Sequence, residues 1–182
     1  MIRSVVTVGG PPGSGKSTAG RRLAQELGLD YRSAGEVFRA EAKARGFDLE
    51  AFGRYAEEHP EVDAELDRAM EALARPGVLL EGRIQGALCR RRGVPVVAIV
   101  ITASAAERAR RLAGRDHLSV EAATRAIAVR EASERSRYLR SYGIDVDHEP
   151  ADLVVDSTSR GPEEVVATIV AFLKGRGNGE AR

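Results

Sequence analysis

The chain has few of the groups that bind metals, cross membranes or form disulfides. It has no tryptophan, one cysteine, three histidines, and four each of tyrosine and phenylalanine in 182 residues. Cys89 stands alone, which excludes an intrachain disulfide and leads us to expect a reducing, cytoplasmic setting. His59, His117 and His148 lie far apart and lack zinc-ligand spacing. No apolar run is long enough to span a bilayer, and no signal-peptide pattern precedes the first expected strand. An excess of one charge is also missing, since 28 basic residues face 27 acidic ones. With so few aromatics, that balance gives no reason to expect a nucleic-acid or membrane partner. Lysine is scarce as well. Lys16, Lys43 and Lys174 are the only ones, and the other basic residues are arginines. Lys16 therefore stands out, while any single arginine is weak evidence of a phosphate site. The length suits one domain with a sizeable core, and a monomer is expected.

What is present starts with Gly10-Pro11-Pro12-Gly13-Ser14-Gly15-Lys16-Ser17. It fills the pattern G-x-x-x-x-G-K-[ST], and its context fits the pattern's mechanics. Val5-Val6-Thr7-Val8 upstream reads as a buried parallel strand. Residues 17–27 downstream read as a helix, with Leu23 and Leu27 four apart and Gly28 as a stop. Glycines let backbone N–H groups turn inward onto phosphate oxygens, and the helix adds its positive end. Lys16 is then placed for the outer phosphates and Ser17 for Mg²⁺.

The rest of the chain alternates strands with helices. Strands are expected at 29–32, 78–81, 95–101 and 153–156. Helices are expected at 36–45, 49–58 (capped by Asp48), 61–73, a short stretch to about 92, 104–113, 119–141 and 162–174. Three of these helices fall between the second and third strands, as an insertion over 31–75. Residues 114–119 form a short loop, and 175–182 a glycine-rich tail expected to be flexible. The pattern implies an α/β fold with a parallel five-stranded sheet and helices on both faces, in a single domain over 1–174.

Three further stretches carry charge where a ligand of the loop would lie. Ser33-Ala34-Gly35 reads as a polar turn at a strand end, with Arg39 one helical turn later. Glu81-Gly82-Arg83 ends the third strand. Its carboxylate could organise Mg²⁺ through water, its glycine admits a close ligand, and its arginine could reach a phosphate. Arg130, Glu134 and Arg137 are spaced by four and three, so they share one helix face. Taken singly, each is equally a solvated charge on a helix or strand end.

Together these segments resemble the nucleoside monophosphate kinases, and among them the compact archaeal type of cytidylate kinase. Ser33-Ala34-Gly35-Glu36-Val37-Phe38-Arg39 resembles that family's S-A-G-[DE]-[IV]-F-R. The segment starting at Asp48-Leu49 is similar to D-L-x-x-F-x-x-Y-A-E, and 78–83 to V-x-L-E-G-R. Residues 130–145 are similar to R-E-x-S-E-x-x-R-Y-x-x-x-Y-G-I-D, and 152–158 to the family's last strand. The likeness runs from about residue 2 to 173.

The resemblance implies a P-loop kinase whose helical insertion binds the acceptor nucleotide and whose residues 114–119 form a short lid. It implies ATP on Gly10 to Ser17 and Thr18, with Arg115 as lid arginine. It implies an acceptor monophosphate held by Arg39 and Arg83, with Ser33, Gly35, Gly82 and Glu134 lining that site. Arg130 and Arg137 would bridge the two phosphates, and Lys16, Arg83, Arg130 and Arg137 would be the catalytic set. Mg²⁺ would be bound directly by Ser17 and through water by Glu81. Two departures stand out. Lys16-Ser17 replaces the Thr-Thr frequent in compact members. Gly82-Arg83-Ile84-Gln85-Gly86 lacks the aspartate of the G-R-D-I-G in larger bacterial members, which leaves Gln85 as a candidate base reader.

The expected reaction is transfer of a phosphoryl group from ATP to CMP or dCMP. A phosphate monoester's second pKa lies near 6, so the acceptor oxygen is already ionised at neutral pH and no general base is assigned. Arginines and Mg²⁺ then suit the remaining task of joining two anions in line. A kinase acting on a hydroxyl would want an aspartate near it, and Ser33-Ala34-Gly35 supplies none. Adenylate or uridylate kinases remain alternatives, as does a P-loop ATPase or switch without an acceptor. A guanine-binding switch is disfavoured, because no N-K-x-D-like stretch follows the apolar strand at 95–101.

Overall fold

The computed structural model describes residues 2–179. Its five strands are β1 (Val5–Gly9), β2 (Asp30–Ser33), β3 (Val78–Glu81), β4 (Val96–Thr102) and β5 (Leu153–Asp156). All adjacent pairs are parallel, and the order is β2-β3-β1-β4-β5. The helices are α1 (Lys16–Leu27), α2 (Ala34–Ala44), α3 (Leu49–Glu58), α4 (Pro60–Ala72), α5 (Gln85–Arg91), α6 (Ala105–Asp116), α7 (Val120–Tyr142) and α8 (Pro162–Gly179).

Strand side chains alternate between two cores. Val6, Val8 and Leu79 pack with α1 and α8, while Val5, Val78 and Leu80 pack with Met70 of α4 and Cys89 of α5. Both faces of the central strands are thus covered, which is why they read as unbroken apolar runs. The insertion α2–α4 has a small core of its own around Phe52, which is fully buried against Ala42, Ala56 and Val62. A further cluster joins α6 to α7 through Leu112, Ala113, Ala123 and Ile127. Register aligns Val8 and Ser33 with Glu81, so β1, β2 and β3 end at one level. Ligands of parallel α/β sheets bind at that edge.

Three local expectations change. No turn separates β2 from α2. Ser33 ends the strand and also caps the helix, its hydroxyl accepting from the Glu36 N–H at 3.2 Å. The short loop expected over 114–119 is mostly helix, because α6 runs through Gly114 and Arg115 to Asp116. A glycine inside a helix costs only about 1 kcal/mol, and the packing of Leu112 and Ala113 against α7 offsets it. The connection shrinks to His117–Ser119, where His117 takes the left-handed conformation and its N–H bonds Ala113 O. The last helix does not stop at 174 but continues to Gly179. Arg176 holds that extra turn by bonding Asp152 at 2.9 Å and lying over the Phe172 ring. Residues 180–182 of the expected flexible tail lie outside the described residues.

Candidate active site

The loop between β1 and α1 is set by backbone that only glycine allows. At Gly10 φ is +136°, and an added Cβ would lie 2.1 Å from the Ile101 carbonyl oxygen. The turn therefore lies directly on the end of β4. Its outer side is gripped from α6. Arg108 Nη1 donates to Pro12 O at 3.1 Å, and Arg111 Nη1 donates to Ser14 O at 3.3 Å. Ser157 Oγ, just past β5, lies 2.9 Å from Ser14 O. These bonds occupy the carbonyls of Pro12 and Ser14. Ser14 is fully buried and its hydroxyl has no partner among the described residues. Lys16, the first residue of α1, reaches back to 3.5 Å from Pro11 O and 3.9 Å from Glu81 Oε1. Burial lowers its pKa to about 8, against the opposing pull of Glu81.

A cavity of about 580 Å³ opens in front of this loop, within the usual range for small-ligand sites. Its walls come from the loop, α1, the insertion, Gly82-Arg83, the end of α6 and one face of α7. Arg83 and Arg130 meet over Glu134. The Glu134 carboxylate is 3.1 Å from Arg83 Nε and 2.7 Å from Arg130 Nε. Burial alone would raise the Glu134 pKa, but Arg130, Arg83 and Lys16 hold it below its ordinary value. The carboxylate therefore stays ionised and fixes both guanidinium groups. Arg39 also lines the cavity and, among the described residues, makes no ion pair. Burial and the nearby Arg130 lower its pKa. A site with this surplus of positive charge suits polyanions.

The expected site residues divide into groups. Gly13, Gly15, Lys16, Ser17, Thr18, Gly35, Arg39, Glu81, Gly82, Arg83, Arg115, Arg130, Glu134 and Arg137 all line the cavity. Pro12 lines it too, while Gly10, Pro11 and Ser14 form the turn behind.

Ser33 does not line the cavity as expected. Its hydroxyl bonds the Glu81 carboxylate, and Tyr31 Oη donates to the same oxygen at 3.2 Å. Ser33 thus supports Glu81. Gln85 does not line the cavity either. It is buried, and its Nε2 donates to Asp67 Oδ1 at 3.2 Å, while Tyr142 Oη donates to Asp67 Oδ2 at 2.8 Å. Burial raises the Asp67 pKa to about 6. The missing side chain of Gly82 makes room for this arrangement, since an added Cβ would lie 2.9 Å from Gln85 Cγ and 3.0 Å from Ala34 Cβ.

Glu134, on one helix face with Arg130 and Arg137, joins Arg130 to Arg83. Arg137 turns to Asp63 of α4, with Nη1 bonded to both carboxylate oxygens, 2.6 Å to Oδ2. Arg115 lies at the rim, exposed and paired with Asp116 at 2.7 Å.

Sequence reasoning missed Arg108, Arg111 and Asp63. Arg108 and Arg111 lie seven and four residues before Arg115 on one face of α6, a usable spacing hidden by the abundance of arginine. Asp63 carried no local signal, because its partner is 74 residues away.

The donor set Ser17 and Glu81, a hydroxyl and a buried carboxylate, fits Mg²⁺, which prefers oxygen ligands and takes most of them from water and phosphate.

The sheet order, the glycine loop and the covering helices define a P-loop kinase fold. The family model AAA_17, described as an AAA domain, matches residues 9–142. A solved structure of shikimate kinase from Acinetobacter baumannii in complex with shikimate superposes with a TM-score of 0.61 at 16% identity, covering 96% of this chain and 94% of its own. At that identity the likeness is one of fold alone. Sequence relatives are far nearer. The cytidylate kinase of Pyrococcus abyssi is 43% identical over 171 residues, covering 93% of both chains. That of Methanopyrus kandleri is 42% identical over 178 residues, covering 93% of this chain and 92% of its own. The chain belongs to the cytidylate kinase family.

Proposed function

We propose that the protein transfers the γ-phosphoryl group of ATP to CMP or dCMP, giving ADP and the corresponding diphosphate. One observation carries the reading beyond phosphate binding. The cavity that holds the glycine loop also holds a second set of cations, Arg39, Arg83 and Arg130, on its facing walls. One anion-binding loop needs no such second cluster, whereas an acceptor that is itself a phosphate does. The names of the relatives supply the acceptor's base, and the donor follows from the loop.

Within this reading Gly13 to Thr18 hold the donor phosphates, and Lys16 neutralises the outer pair. Arg39 and Arg83 hold the acceptor's phosphate. Arg130, placed by Glu134, reaches the transferring group from the side of α7. The acceptor oxygen is ionised before it enters, so no side chain takes a proton. Catalysis is positioning and charge neutralisation in a cavity shielded from water. Mg²⁺, held by Ser17 directly and by Glu81 through water, would supply further neutralisation of the donor phosphates. The insertion α2–α4 acts as the acceptor-binding part, and the short connection at His117–Ser119 with Arg115 acts as the lid over ATP. Arg115 must leave Asp116 to do so. Arg137 is withdrawn from the bridging set, because Asp63 already holds it.

The test is ADP formation from Mg-ATP with CMP, dCMP, UMP, AMP, GMP and shikimate supplied separately. Preference for CMP and dCMP is expected, and Arg39→Ala should lower turnover roughly 100-fold or more. Preference for AMP would overturn the base assignment. No acceptor-dependent ADP with any of them would overturn the kinase reading.

A further inference from the structure

The cluster of Asp67, Gln85 and Tyr142 has no part in the reaction proposed above. Asp67 of α4 and Gln85 of α5 are each 3% exposed, and neither lines the substrate cavity. Asp67 lines a second cavity instead, of about 350 Å³, which shares no wall residue with the first. Each of its carboxylate oxygens accepts one hydrogen bond, Oδ1 from Gln85 Nε2 at 3.2 Å and Oδ2 from Tyr142 Oη at 2.8 Å. The charges around it are mostly engaged elsewhere. One turn away on α4, Asp63 is bonded to Arg137 and Glu71 to Arg92 of α5. Arg91 of α5 donates to Tyr142 O, and Arg68 lines the second cavity beside Asp67.

A buried carboxylate with neutral partners is a costly way to join three helices, since an amide or an apolar side chain would avoid desolvating a charge. What the ionised form alone can do is accept at both oxygens. A protonated acid or an amide presents a donor at one of them. The Tyr142 hydroxyl can rotate to suit. Gln85 meets that donor with its own N–H, and must turn its amide over or draw back. Its Oε1 is already buried without a partner among the described residues. Its side chain also lies against Gly82, where an added Cβ would be 2.9 Å from Cγ and 3.2 Å from Nε2. The Gly82 N–H is bonded to Val8 O of β1 at 3.2 Å. The turn that presents Arg83 to the substrate cavity is thus set between β1 and Gln85.

We propose that Asp67 is a positioning residue for Arg83, its ionised carboxylate acting through Gln85 to hold the Gly82-Arg83 turn in the geometry that grips the acceptor's phosphate. The proposal rests on the nucleotide-kinase reading above. Burial raises the Asp67 pKa to about 6, and Asp63 and Glu71 push the same way, against the hydrogen bonds from Tyr142 and Gln85. The hold on Arg83 is therefore in place above about pH 6 and released below it. Asp67→Asn resembles the protonated form at every pH.

The experiment measures kcat/KM for CMP with saturating Mg-ATP from pH 5 to 8, in the wild type, Asp67→Asn and Tyr142→Phe. The ratio of wild type to Asp67→Asn cancels the titration of CMP itself and of every group the two proteins share. It should be roughly 10 at pH 8, as expected when one buried hydrogen bond is lost, and fall towards 1 at pH 5 with a midpoint near 6. At pH 8 Asp67→Asn should raise KM for CMP and leave KM for ATP unchanged. Tyr142→Phe removes a bond that holds the Asp67 pKa down, so its acid limb should move to higher pH. Circular dichroism and melting curves establish that each variant is folded. Should Asp67→Asn not fold, the ratio of wild type to Tyr142→Phe decides the matter, since it should pass through a maximum just above pH 6. A ratio independent of pH would overturn the proposal. So would an Asp67→Asn that raises both KM values alike, since that is what a general loosening would do. If the wild type phosphorylates no nucleotide at all, the kinase reading fails first, whereas a wild type active on CMP with a flat ratio removes this proposal alone.

Discussion

Lys16 sits at an electrostatic disadvantage. Folding takes its pKa from 10.5 down to about 8, with burial as the main cause. Between those values the unfolded chain binds the proton more tightly than the folded one. The lysine's burial therefore opposes folding most below about pH 8, and the opposition fades as pH rises towards 10.5. Lys16→Met should accordingly be inactive but more stable than the wild type at neutral pH, by on the order of 2 kcal/mol. Urea titrations at a series of pH values should show that gap closing between pH 8 and 10.5. A gap that is constant across the series would refute the buried-charge account. Lys16 was legible in the sequence because the glycine loop fixes its place by covalent spacing alone. The partners of Ser33 and Gln85 were hidden for the opposite reason. Those partners, Glu81 and Asp67, lie 48 and 18 residues away, so nothing local reveals that both side chains are already engaged.

Among elements, the glycine loop is the most sharply constrained. Gly10→Ala would force a Cβ against the Ile101 carbonyl in a backbone conformation that L side chains rarely adopt. A loss of roughly 3 kcal/mol is expected from strain and overpacking together, visible as a lower urea midpoint and a weakened nucleotide shift of the melting temperature. A variant as stable as the wild type would mean that the turn can relax away from β4. Strands and long helices were legible from their apolar periodicity, and α3 and β3 have the expected bounds. Their ends were less so. Gly114 reads as a stop, yet α6 passes through it because the packing of Leu112 and Ala113 on α7 outweighs a glycine's weak preference. The last turn of α8 is held by Arg176 on Asp152, a link across 24 residues that no local pattern announces.

For the whole molecule, the insertion has its own core around Phe52, and it is tied to the sheet by Met70 and to α7 by Asp63. The proposed closure over substrates would move the part around Phe52. Small-angle scattering should show a smaller radius of gyration with a bisubstrate analogue, adenosine and cytidine joined through five phosphates, than with either nucleotide alone. Hydrolysis of ATP without acceptor should be at least roughly 100-fold slower than transfer, because water is excluded only after closure. An unchanged radius and rapid acceptor-independent hydrolysis would refute a closing insertion.

Arg108 touches neither proposed substrate phosphate site, but one of its nitrogens bonds Pro12 O in the loop and also Glu131 of α7, at 2.6 Å. Glu131 is the residue after Arg130. A single side chain thus spans the two halves of the reaction, so a displacement of either is transmitted to the other as a change in free energy. Such coupling is reciprocal. Whatever factor ATP adds to the hold on the acceptor, the acceptor must return to the hold on ATP, through an arginine that lies 96 residues from the loop and 23 from Glu131 in sequence.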